Sequence, residues 1–171
     1  VNIQDLGSLG ELIAAIATVA TLVYLAKQLY ANTKATVSSN RYEITRDYVR
    51  FSEQLANPEL QRAWTKGLQN YPNMKEDEAG QFANLFSMQA LMFQGIFAQY
   101  DSGQLDEETY LAYLNFFTSL AATPGGGVWW EQSARPVFVP SMVAAVDEHM
   151  SSGNYPELLH GFRPGAHNAD A

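Results

Sequence analysis

Between Glu11 and Lys27 the chain runs for 15 residues, Leu12 to Ala26, without a charge: LIAAIATVATLVYLA. No fold can leave such a run in water, so it must be covered by the chain's own core, by another protein or by lipid. Taken alone it is shorter than the roughly 20 residues that cross the hydrocarbon core of a bilayer. Its flanks lengthen it. From Leu6 to Tyr30, 25 residues, the only charges are Glu11 and Lys27. Each lies near an end, where a long side chain reaches the interface. At 1.5 Å per residue this stretch is long enough to span with some tilt. A helix buried in a complex and an internal core helix are the competing readings. A cleaved signal peptide fits less well, because Asp5 and Glu11 precede the run where a signal would carry Lys or Arg.

Lys27, Lys34, Arg41, Arg46 and Arg50 follow the run. The bias of basic residues toward the cytoplasmic side then predicts a single pass with the N-terminus outside. Gly7, Gly10, Ala14, Ala17 and Thr21 recur at steps of three and four, so a helix would align them in one stripe of small residues. Small residues let a second helix approach closely within a membrane. Leu12, Ile16, Val19 and Val23 occupy the opposite side.

The remainder reads as helices. No Pro or Gly interrupts Glu11 to Asn57, so the first helix is expected to run on beyond the apolar stretch, with a bend near Ser38-Ser39-Asn40. Tyr42, Ile44, Tyr48, Val49, Phe51 and Leu55 then supply an apolar band for docking on a body. Asn57-Pro58-Glu59 has the chemistry of a helix start: a capping side chain, a proline in the first turn and a favourable negative charge. Tyr71-Pro72-Asn73 stops that helix, and Glu76-Asp77-Glu78 opens the next. Its residues 79–100 carry no charge, yet five Gln and Asn side chains would be costly in lipid. The expectation is therefore a central helix surrounded by others. Leu105 to Ala121 forms a further helix after the Gly103 reversal, and residues following Pro136 and Pro140 form the last. Pro124-Gly125-Gly126-Gly127 is expected to be mobile or tightly turning, with Trp129 and Trp130 pointing in different directions, one of them available to a partner or the membrane interface.

Chemistry is sparse. The net charge of −8 disfavours nucleic acid, whose binding rests on neutralised phosphates. The absence of cysteine excludes disulfides and Cys-ligated metals. His149, His160 and His167 have no metal-ligand spacing, and the acids cluster at helix starts, where capping accounts for them. No catalytic residue, metal site or cofactor is expected. Phe86, Met92, Phe93 and Phe97 on the uncharged helix are the candidate lining for an apolar ligand between helices.

The chain resembles a broad group of uncharacterised small bacterial proteins that begin with one hydrophobic helix and continue as an all-helical domain. The resemblance rests on Tyr24-Leu25-Ala26-Lys27-Gln28 with Asn32-Thr33, on Asn57-Pro58-Glu59-Leu60 with Trp64 and Gly67, and on Gly126-Gly127-Val128-Trp129-Trp130 with Phe138. It covers most of residues 10 to 150 and implies the bacterial setting and the helical fold, but no activity.

The reading is thus all-α: a single transmembrane helix over residues 1–35, a small helical bundle over 36–150 and an extended tail over 151–171. The expected role is a non-catalytic accessory or scaffold subunit of the bacterial inner membrane, its helical domain cytoplasmic. Its partners would be membrane lipid and integral membrane subunits or its own copies, met through Gly7, Gly10, Ala14, Ala17 and Thr21 together with Trp129 and Trp130. Binding of a lipid or other apolar small molecule is the alternative, and an enzyme the third choice.

Overall fold

The structure, a computed structural model, describes residues 3–158, with side chains described from Gly10 onward. The described residues are all-α, with no strand among them. Helix α1 spans Ile3–Gln54, with Ser38-Ser39-Asn40 inside it. It is followed by α2 (Pro58–Asn70), a 3-10 turn (Tyr71–Asn73), α3 (Glu76–Asp101), α4 (Glu107–Ala121), α5 (Pro124–Trp129), a π-helical turn (Trp130–Ala134) and α6 (Pro140–Ser152). The contacts divide the chain into two compact units, with the division between Ser39 and Asn40. Most of the stretch expected to be an extended tail, residues 159–171, lies outside the described residues.

Local chemistry explains where the helices start. The Asn57 side chain accepts from the Glu59 amide at 2.8 Å, and Pro58 occupies the first turn of α2. Asp106 caps α4 by accepting from the Thr109 amide at 3.0 Å, so α4 begins after Asp106 and not at Leu105. Thr123 caps α5, accepting from the Gly126 amide at 3.1 Å while its hydroxyl donates to the Leu120 carbonyl. Gly103 and Gly153, at φ of 72° and 69°, reverse the chain after α3 and α6.

In the second unit, the last turns of α1 dock as an amphipathic helix. Ile44 and Phe51 are buried and Tyr48 and Leu55 pack against the core, while Tyr42 and Val49 of the same expected band face outward. Helix α3 supplies the middle of the core through Phe82, Leu85, Phe86, Gln89, Ala90, Phe93 and Ile96, which share one face. It is not surrounded. Leu91 on the opposite side is 57% exposed, and Asn84, Gly95 and Ala98 are exposed as well. Residues 79–100 lack charge because the outer face of the helix is neutral, not because it is enclosed.

Aromatic rings fill this core. Trp64 of α2 meets Phe51, Phe82 and Phe86, with centroids 5.4–5.8 Å apart. Phe86 meets Trp129 at 4.7 Å, and Phe93 stacks on Phe117 at 4.9 Å. The glycine run expected to be mobile or turning is instead helical, with Gly125 and Gly126 buried. A Cβ on Gly125 would overlap the Gly67 carbonyl oxygen, and a Cβ on Gly67 would strike the Phe82 ring. The backbones of α2 and α5 therefore touch, and this close approach seats Trp129 and Trp130 in the core.

The glycines make opposite predictions. Gly125→Ala should lower the stability of the second unit by at least about 2 kcal/mol, because a backbone clash cannot be relieved by a rotamer change. Gly80→Ala, which meets open space on α3, should raise it by about 0.5–1 kcal/mol through helix propensity. Chemical denaturation of the two variants beside the parent chain checks both signs.

Candidate membrane and partner surface

Among the described residues, the apolar part of α1 is an exposed surface. One helix among the described residues is long and apolar enough to cross a membrane, and none of its most apolar 18-residue window is buried. Leu12, Ile16, Leu22 and Leu25 are each between 52% and 61% exposed. At 3.6 residues per turn, Leu12, Ile13, Leu22, Tyr24 and Leu25 point to different sides, so the apolar surface goes all the way round. A helix of that kind belongs to a protein interior or a membrane. Among the described residues, none of the most apolar window is buried, unlike a core helix.

The threonine hydroxyls of this stretch are already satisfied. The Thr18 and Thr21 hydroxyls donate to the carbonyls of Ala14 and Ala17 at 2.9 and 2.8 Å, as those of Thr33 and Thr36 do to Leu29 and Asn32 further along. A medium that offers no hydrogen bonds therefore extracts little cost from them. Glu11 and Lys27 are separated by about 24 Å along the axis, somewhat under the roughly 30 Å of a hydrocarbon core.

Of the small-residue stripe, Gly10, Ala14, Ala17 and Thr21 are exposed and share one side, and nothing lies within 4 Å of where a Gly10 Cβ would sit. Gly7 is helical, and its surroundings lie outside the described side chains. Trp129 and Trp130, the other residues expected to meet a partner, do not belong to this surface. They are 3% and 0% exposed, and the Trp130 indole donates to Asp147 at 2.8 Å. Their partners are the chain's own Phe86, Phe117 and Phe138.

The candidate lining for an apolar ligand is likewise occupied by the core itself. Phe86 and Phe93 are fully buried among rings, while Met92 and Phe97 are half-buried against them. The unit's cleft of about 900 Å³ has other walls. His149 faces Asn115, with Nε2 2.7 Å from Oδ1, and His160 and His167 lie outside the described residues. Among the described residues no group of three or more His, Asp or Glu side chains is arranged to hold a metal.

Past the division at Ser39, polar contacts tie the rest of α1 to the turn before α4 and its capping residue. Asn40 donates to the Gln104 carbonyl at 3.2 Å, and Arg41 reaches Asp106 Oδ2 through Nε and Nη2 at 3.0 and 2.5 Å. The Arg41 hydrogen bond, helped by those from Thr109, holds the Asp106 carboxyl down at about 2. Tyr48 stacks on Tyr113 at 5.1 Å, and burial, followed by the Tyr113 neighbour, pushes its phenol well above the usual range. Spacing did not reveal the cluster of Trp130, Glu131, Arg135 and Asp147. Only the Glu131–Arg135 step of four hinted at it, while Asp147 arrives from another helix.

No protein-family model, curated protein or solved structure matches this chain.

The Asp106 arrangement predicts an acid limb. Its carboxyl is lowered on folding, so its stabilisation is complete above the unfolded value of 3.8 and disappears as pH falls toward about 2. Asp106→Asn keeps a capping side chain but loses the charge. Its stability deficit should be constant above about pH 5 and shrink between pH 4 and 2, as measured by urea unfolding at stepped pH.

Proposed function

We propose that this protein is a non-catalytic, membrane-anchored accessory or scaffold subunit. The apolar part of α1 crosses the bacterial inner membrane once, with the N-terminus outside and the residues after the anchor in the cytoplasm. The observation that carries this reading is the membrane-length apolar window of which nothing is buried. Satisfied threonine hydroxyls within it, and charges confined to its ends, support lipid as the cover. The excess of Lys and Arg after the run supports the orientation. The helical bundle beyond the anchor, built around its aromatic core, then serves as the attachment.

In this proposal the side bearing Gly7, Gly10, Ala14, Ala17 and Thr21 packs against a helix of a larger membrane assembly or of a second copy, while Leu12, Ile16, Val19 and Val23 face acyl chains. The back-bonded Thr21 hydroxyl keeps that side smooth.

Expressed in a bacterial host, the chain should stay in the membrane pellet through alkaline carbonate washing. Ile16→Lys with Val19→Lys should release it, since each charge near the centre of a span costs about 3 kcal/mol. Release of the parent chain by carbonate would remove the anchor. Extracted in mild detergent, the parent should migrate with a larger assembly and Ala17→Leu should not; a lone parent monomer would remove the scaffold role.

A further inference from the structure

A recess of about 900 Å³ in the second unit lies between α2, the end of α4 and the segment after α6. Trp64, Leu68, Pro156 and Leu158 are among its apolar walls, and its volume is that of sites that enclose small molecules. Most polar groups on these walls are already committed. The hydroxyls of Thr65, Ser119 and Thr123 donate to the carbonyls of Gln61, Asn115 and Leu120, three or four residues back, at 2.7–2.9 Å. Glu157 is the one acidic or basic side chain among the lining residues, and it is not free.

Two polar groups on the walls are left over. The Gln69 amide, exposed near the end of α2, and the Tyr155 hydroxyl make no hydrogen bond among the described residues. Each can both donate and accept. An ion entering the recess would lose its hydration without a compensating charge. An anion meets no Lys, Arg or His on the lining, and a cation meets no free carboxylate. A smaller recess of about 380 Å³, which shares Ala122 and Tyr155, does not alter this balance. Its Arg135 is held by Glu131 at 2.9 Å and by Asp147 at 3.2 Å, and Asp147 also accepts from the Trp130 indole. A neutral guest gives up less water, and finds apolar contact for its body and a hydrogen bond for one polar end.

We propose that the larger recess binds a small neutral amphiphile, a hydrocarbon or aryl body that ends in a hydroxyl or a primary amide. The body lies against Trp64, Leu68 and Leu158. The polar end meets the Gln69 amide, with the Tyr155 hydroxyl as a second partner. This site is separate from the exposed flank of α1 and does not depend on the scaffold role.

The test is calorimetric titration of the full chain in lipid nanodiscs near neutral pH, with empty discs subtracted. The probes share one body: 4-phenylbutanol, 4-phenylbutanamide, 4-phenylbutylamine and 4-phenylbutyrate. The alcohol and the amide should bind saturably, at least about tenfold more tightly than the cationic amine or the anionic acid. Gln69→Ala, at an exposed position, should weaken the two neutral probes about two- to tenfold through the lost hydrogen bond. Ala122→Phe narrows the recess and should abolish their binding. Thr65→Trp, at an exposed position on another wall, should do the same where Ala122→Phe disturbs the fold, with circular dichroism and melting as the check. The proposal is overturned if either ion binds as well as the alcohol, or if nothing binds beyond empty discs. Undiminished binding of the neutral probes by Gln69→Ala, or by a folded chain with the recess blocked, overturns it equally.

Discussion

Covering the apolar flank of α1 is the requirement on which the rest of the molecule turns. Removing apolar surface from water is worth about 25 cal/mol per Å², and the large apolar side chains from Leu12 to Leu25 are more than half exposed among the described residues. Patches of this extent mark interaction or membrane surfaces. Such a surface is compatible with a stable protein only where something apolar closes on it from every side. Lipid does so without a specific partner, and the helix already meets lipid's other demand by satisfying its backbone and threonine groups internally.

The same helix changes character along its length without a break. Around Leu12 to Leu25 its apolar residues are spread over all sides, whereas from Ile44 to Leu55 they gather on one face and join an aromatic core. The low charged fraction of 16% has two sources. One is the apolar flank. The other is α3, whose outer face uses neutral groups such as Asn84 and Ala98 where a more soluble helix would place Lys or Glu. Stability of this core depends on close backbone contact as well as on ring packing, since Gly67 and Gly125 allow α2 and α5 to meet and the tryptophans to enter.

Much of this was readable from local pattern. The caps at Asn57 and Asp106, the acidic first turns and the Gly103 reversal act over three or four residues, so the helix order followed from them. The apolar run announced its need for cover in the same way. Features that depend on distant residues were not readable. The glycine run looked like a flexible turn because its reason, the Gly67 carbonyl across the helix crossing, is 58 residues away. Trp129 and Trp130 were expected to divide between core and partner, yet the π-helical turn that follows Trp129 lets both enter. The recesses beside Tyr155 combine α2, α4, α6 and the residues after them, and no spacing in the chain brings these together.

Because the chain has no cysteine, spin labels can be placed singly at Ile13, Ile16 and Leu22 and at the exposed Glu59 in membrane-reconstituted protein. Their relaxation by oxygen and by a water-soluble nickel complex reads depth directly. If the flank of α1 is embedded in lipid, the three helix positions are accessible to oxygen and shielded from nickel, while Glu59 shows the reverse. Nickel access at Ile13, Ile16 and Leu22 equal to that at Glu59, or exclusion of both reagents from all three, would contradict a lipid-covered helix.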